Sequence, residues 1–170
     1  VGAINDAPVN TVPAAQSTNE DTALVFSSGN SNLISIADVD AASGSMQVTL
    51  GVSNGTLTLS GTTGLTFSTG DGSSDASMVF TGTVASINAA LAGMVFSPMF
   101  FYSGGATLQI TTNDLGQSGS GGALGDSDSV AITVTPAFST PVLDLDANNS
   151  SGASGSGYQT GFTQGGAAVP

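Results

Sequence analysis

Met46-Gln47-Val48-Thr49-Leu50-Gly51-Val52-Ser53-Asn54-Gly55-Thr56-Leu57-Thr58-Leu59 decides the fold of this chain. Met46, Val48, Leu50 and Val52 alternate with polar partners, so one face of an extended strand is apolar. Asn54-Gly55 follows, the strongest short hairpin signal, because both residues accept positive φ. Leu57 and Leu59 then resume the alternation. The stretch therefore reads as two strands joined by a tight turn. Outward from it, similar short runs recur at Ala23–Phe26 and Leu33–Ile36, with Ser27-Ser28-Gly29-Asn30 between them. Leu65 and Phe67 continue the pattern, Asp71-Gly72 marks another turn, and Met78–Phe80, Met94–Phe96, Thr107–Thr111 and Ser129–Thr135 complete the set. About eight or nine strands in about 130 residues predict an all-β, immunoglobulin/cadherin-like β-sandwich with sheets ~10 Å apart. One segment departs from period two. Thr83 is a good N-cap, Val84, Ile87 and Leu91 fall at helical spacing, and Gly93 is a natural stop. Val84–Ala92 is expected as one short helix crossing an end of the sandwich, its apolar stripe in the core.

Composition restricts the chemistry. The 170 residues include no Lys, Arg, His, Cys or Trp, against eleven Asp and one Glu, for a formal charge of -12. Nothing here can displace counterions from nucleic acid or attract an anionic lipid surface. Without imidazole, amine or thiol, Ser-His-Asp and Cys-His nucleophiles cannot be built, nor can zinc sites made from His and Cys. Carboxylates are the only acid–base groups left, and the chain reads as non-enzymatic. Apolar residues at 39% suffice for a core, while 24 Gly and a charged fraction of 7% argue against a helical bundle. No apolar run approaches the ~20 residues of a membrane span, and no Lys or Arg opens a signal peptide.

Ala7-Pro8-Val9 is echoed by Thr140-Pro141-Val142, 133 residues later. One complete unit is expected over residues 7–136, preceded by an incoming linker at 1–6. Residues 137–170 are expected to be a linker and the first strand of a following unit, with a Ser/Gly/Asn-rich loop from Asn148 to Gly157. The chain thus reads as a piece of something longer.

The acids cluster rather than scatter. Asn5-Asp6 precede the first strand, Asn19-Glu20-Asp21 lie in a turn, and Asp38-Val39-Asp40 end a strand. Asn113-Asp114 end another, and Asp126-Ser127-Asp128 open the last. Asp38 and Asp40, two apart, present their carboxylates in one direction. Held close, such anions need water, a proton or a bound cation between them, since no basic side chain exists. An all-oxygen donor set favours a hard ion, and Ca²⁺ over Mg²⁺. In a sandwich of this kind Asp6, Asp38, Asp40 and Asp114, with Asp126 and Asp128, belong to one end, and Glu20 and Asp21 to the other. Asp or Asn in turns is also what solvated loops contain.

Asn5-Asp6-Ala7-Pro8-Val9, Asn19-Glu20-Asp21-Thr22 and Asp38-Val39-Asp40-Ala41, in that order, resemble the bacterial cadherin-like tandem repeats of large secreted (RTX-type) surface adhesins. Asn54-Gly55-Thr56-Leu57, Ile87–Leu91 and Val130–Val134 resemble later parts of the same units, so the similarity covers residues 5–136. It implies interdomain Ca²⁺ held by Asp6, Asp38 and Asp40 at one end and by Glu20 at the other. It also implies neighbouring repeats in the same chain as partners, type I secretion, and a place on the bacterial cell surface or in a biofilm. Carboxylates that repel until Ca²⁺ arrives would suit a chain exported unfolded. One departure stands out: Thr135-Pro136-Ala137-Phe138-Ser139-Thr140-Pro141-Val142 lacks Asn-Asp before its second Pro. Asp144-x-Asp146-x-Asn148 offers alternating oxygen ligands instead, although Asn149 and Gly155 stand where an EF-hand needs Gly and Glu.

Two other functions fit a β-sandwich. A carbohydrate-binding module, with surface glycans or host ligands as partners, would want exposed aromatics, and Phe100-Phe101-Tyr102 is the one cluster. Core closure is the expected role of that cluster. The tail after Gly157 could instead add a strand to another copy, joining subunits into a filament. A glycosidase working by paired carboxylates fits poorly, because these acids sit in turns.

Overall fold

A computed structural model describes residues 4–41, 44–116 and 119–137, all within one compact unit ending at Ala137. Eleven strands and one α-helix follow in order. They are β1 (Val9–Thr11), β2 (Gln16–Asn19), β3 (Leu24–Phe26), β4 (Ser35–Ala37), β5 (Ser45–Val52) and β6 (Gly55–Thr58). Next come β7 (Thr66–Thr69), β8 (Ser77–Thr83), α1 (Val84–Leu91), β9 (Met94–Pro98), β10 (Gly104–Asn113) and β11 (Gly125–Thr135). The larger sheet runs β2-β11-β10-β5-β8-β7, the smaller β3-β9-β6, and β1 pairs separately with β4.

The alternation of the opening stretch does what periodicity predicts. Met46, Val48 and Leu50 of β5 are buried, as are Leu108 and Ile110 on β10 and Val130, Ile132 and Val134 on β11. Phe26, Leu57 and Phe96 of the smaller sheet close over them, and Met78 and Phe80 join from β8. This is the all-β sandwich expected from sequence.

The turn at Asn54-Gly55 is a correction. It joins no hairpin: β5 pairs with β10 and β8, whereas β6 pairs with β9. Asn54 does adopt φ 57°, but it carries the chain from one sheet to the other. Its side-chain amide donates to Tyr102 Oη and to the Gly105 carbonyl, both at 2.9 Å, and its own carbonyl accepts from Met99 N at 2.9 Å. Those bonds hold the turn against the β9–β10 connection, and tertiary partners override the local hairpin preference.

β1 and β2 lie where a first strand was expected between Asn5-Asp6 and the Asn19-Glu20-Asp21 turn, but alternation did not locate them because they are short and polar. Pro13, with no N–H to donate, separates them, and the chain changes partners across it. β1 runs antiparallel to β4, while β2 runs parallel to β11 with Asn19 opposite Thr135. The crossing helix forms as expected. Thr83 Oγ1 accepts from Ser86 N at 3.2 Å, and Ile87, Ala90 and Leu91 are buried. On its other face Asn88 donates to the Ile36 carbonyl and accepts from Ile36 N, each at 2.8 Å, so it caps β4 as another strand would.

Phe100-Phe101 is a second correction. The two rings are 76% and 73% exposed, and only Tyr102 packs against the core. They leave the core because β9 ends at Pro98 and the chain turns back into β10 through a tight loop, Tyr102 N donating to the Met99 carbonyl.

Candidate functional site

β10 and β11 are paired from Gly104–Val134 at one end to Asn113–Gly125 at the other. Nine strand steps put those ends about 30 Å apart. Most of the described acids divide between them, Asp71 and Asp75 lying instead in the β7–β8 turn.

At the Asn113–Gly125 end the incoming chain is pinned first. Asn5 N donates to the Ser120 carbonyl at 3.1 Å, and the buried Asn5 amide donates to Asp114 Oδ2 and to the Gly122 carbonyl. Asp114 is 3% exposed. Its Oδ1 accepts from Gly116 N and Leu124 N, both at 2.8 Å, so this carboxylate shapes the β10–β11 loop. Burial pushes its carboxyl up, but the Leu124 and Gly116 N–H groups and the Asn5 amide outweigh that and hold it below the usual 3.8. The Asp40 carboxylate is near enough to push the other way.

The segment after β4 folds around Asp38. Its Oδ1 accepts from Asp40 N at 3.1 Å and Ala41 N at 3.0 Å, which is how a short acid closes a turn. Its Oδ2 is buried with no hydrogen-bond partner. Burial, and then the Asp40 carboxyl beside it, push the Asp38 carboxyl above 3.8, against the two N–H groups. Asp40 Oδ2 accepts from Asp6 N at 3.0 Å, which ties the turn to the incoming linker. Asp6 and Asp38 also line a shallow groove with Ala7, Val9, Ala37 and Val39. Asp126 Oδ2 accepts from Asn10 N at 2.7 Å, while Asp126 and Asp128 sit half-buried on the inward face of β11, beyond Val130.

The structure thus brings Asn5, Asp6, Asp38, Asp40 and Asp114 to one end. Among the described residues, no three acids already surround one point as a formed metal site would. The donor set nevertheless suits a hard cation: oxygen only, two adjacent carboxylates, and a buried Asp38 oxygen without a donor.

Glu20 and Asp21 lie at the far end and do something different. Glu20 Oε1 accepts from Ala137 N at 3.0 Å, where the chain leaves the sandwich. Asp21, at φ 56°, accepts from Phe101 N at 2.9 Å and fixes the aromatic turn. Asp144 and Asp146 lie outside the described residues, as does the tail after Gly157.

The sequence reading missed Asn10 and Asp75. Asn10 is buried between exposed Val9 and Thr11, accepting from Thr112 Oγ1 at 2.8 Å. An Asn on the inward phase of a strand was the available signal. Asp75 Oδ2 accepts from Asp71 N at 2.9 Å and Gly72 N at 2.8 Å, so it organises the β7–β8 turn. No helix among the described residues is long and apolar enough to cross a membrane. No family model matches the sequence, and no curated protein matches it.

Proposed function

We propose that this chain is a non-catalytic structural and adhesive repeat module of a large extracellular bacterial surface protein, stiffened by Ca²⁺ at its joints. The supporting observation is the grouping of Asp6, Asp38 and Asp40 where the incoming linker meets the sandwich. Asp38 and Asp40 hold their carboxyls side by side in a chain with no basic side chain to separate them. A divalent cation is the partner whose chemistry fits, and it would take the Asp38 oxygen that no donor reaches. Asp6 belongs to the linker, Asp38 and Asp40 to the domain, and the Asp6 N–Asp40 bond already couples them. A cation shared by the two groups therefore restrains the joint. Asp114 contributes by holding Asn5, and through it the linker, rather than by offering a vacant oxygen.

Calorimetric titration of the full chain with CaCl₂ tests this. Saturable uptake is expected, weaker for Mg²⁺, and reduced by one site in the double variant D38N/D40N. Uptake that is unchanged by D38N/D40N, or absent up to about 10 mM Ca²⁺, an extracellular-scale concentration, overturns it.

A further inference from the structure

Asn54-Gly55 is the one Asn-Gly step in the 170 residues, and the proposed cation joint makes no use of it. In an open chain such a step is chemically labile, because glycine has no side chain to keep its backbone nitrogen away from the preceding amide. The deprotonated Gly55 nitrogen attacks Asn54 Cγ. A new C–N bond forms, the Cγ–Nδ2 bond breaks, and ammonia leaves with the proton. The five-membered imide then takes up water and opens at either carbonyl, leaving an aspartyl or an isoaspartyl residue at position 54.

The folded chain holds both reacting groups apart. Asn54 Nδ2 donates to Tyr102 Oη and to the Gly105 carbonyl, both at 2.9 Å. The Tyr102 hydroxyl donates to the same Gly105 carbonyl at 2.6 Å, and the Asn54 carbonyl accepts from Met99 N at 2.9 Å. Gly55 is buried, and the Phe96 ring and the Ser97 carbonyl oxygen fill the space that even a Cβ would need. Carrying Asn54 Cγ onto the Gly55 nitrogen therefore breaks the two amide bonds, while Gly55 has no room to shift and meet it.

We propose that Asn54 is a self-modification site sealed by folding: reactive in the unfolded chain, latched by Tyr102 and Gly105 in the sandwich, and incompatible with the sheet-to-sheet crossover once converted. An aspartyl side chain would set a carboxylate oxygen against the Gly105 carbonyl, which loses a donor. An isoaspartyl residue routes the main chain through Cβ, adding one atom between β5 and β6. It also turns the carbonyl that receives Met99 N into a free carboxylate, so the register that sets Gly55 opposite Pro98 is lost. Chains that fold promptly keep Asn54, and chains that linger unfolded lose the ability to close the sandwich. None of this depends on a bound cation.

The test incubates the full chain at mildly alkaline pH, in buffer and in urea above its midpoint. Position 54 is then read by peptide mass spectrometry, with heavy-oxygen water marking the imide route. Asn54 should convert in urea and at least about tenfold more slowly in buffer, where reaction needs a local opening. Tyr102→Phe keeps the ring and removes one latch. It should speed conversion in buffer about threefold to tenfold, the worth of one hydrogen bond, and change nothing in urea. Thr83→Ala removes the helix cap at the opposite end of β5, at a comparable cost in stability, and should leave the rate within about twofold of wild type. Conversion in buffer as fast as in urea overturns the seal. Equal acceleration by the two variants assigns exposure to global unfolding and overturns the latch. Chain converted in urea and returned to buffer should show a lower urea midpoint than unconverted chain, and an unchanged midpoint overturns the incompatibility.

Discussion

Asp114 is a buried carboxylate kept charged by donors alone. With Gly116 N, Leu124 N and the Asn5 amide all directed at it, truncation orphans three groups at once. Asp114→Ala should destabilise by about 3–5 kcal/mol, and Asp114→Asn by less, in urea denaturation. Because the folded carboxyl is held below 3.8, its stabilisation is complete above the unfolded value and lost as pH falls through the folded one. Wild-type stability should therefore fall on acidification below about pH 4, and Asp114→Asn should flatten that fall. Asp38 has the opposite sign. Its folded carboxyl is raised by burial and by Asp40, so its contribution is present below 3.8 and lost as pH rises through the folded value. At neutral pH the ionised Asp38 therefore stabilises the fold less than its protonated form would. The sequence showed that these acids cluster. It could not show that Asp114 faces inward to backbone donors while Asp38 keeps one oxygen without any, because that depends on a loop ten residues further along.

Among the elements, those with strong period-two or helical patterning were legible: β5, β8, β10, β11 and α1 all fall where alternation or spacing put them. The paths between sheets were not. Asn54-Gly55 carries a hairpin's local chemistry, yet Tyr102, Gly105 and Met99 hold it as a crossover from 45 or more residues away in sequence. Gly55 shows why the position is restricted. A Cβ there would stand 2.3 Å from Phe96 Cε2 and 2.5 Å from the Ser97 carbonyl oxygen, and the backbone cannot yield as a side chain can. Gly55→Ala should cost about 2–4 kcal/mol by overpacking, a large loss for an alanine substitution, readable as a lower urea midpoint. A midpoint within error of wild type would mean that β6 and β9 separate more easily than their register implies. β2 was invisible for a different reason. It is an edge strand held to β11 by backbone pairing and by the Thr135 hydroxyl, which donates to the Thr18 carbonyl and Asn19 Oδ1, so Gln16-Ser17-Thr18-Asn19 needs no apolar face.

At the scale of the whole molecule, most of the acids and most of the exposed large apolar side chains among the described residues gather at the two ends of the β10–β11 ladder, and the outward residues of those strands are mainly polar and uncharged. The absence of Lys, Arg and His accounts for much of this: with no internal cation, acids can be grouped only where donors or an outside ion satisfy them. Asp114, Glu20 and Asp21 take the first course, and the proposed cation would give Asp38 and Asp40 the second. The most direct test is the melting temperature of wild-type and Asp38→Asn chains in EDTA and in Ca²⁺. In EDTA, Asp38→Asn should melt higher, because an amide beside Asp40 replaces a repelling carboxyl. In millimolar Ca²⁺ the order should reverse, wild type gaining about 2.7 kcal/mol at a hundredfold excess over the dissociation constant while the variant gains less. Two chains that keep the same order in both buffers would contradict a cation site at Asp38 and Asp40.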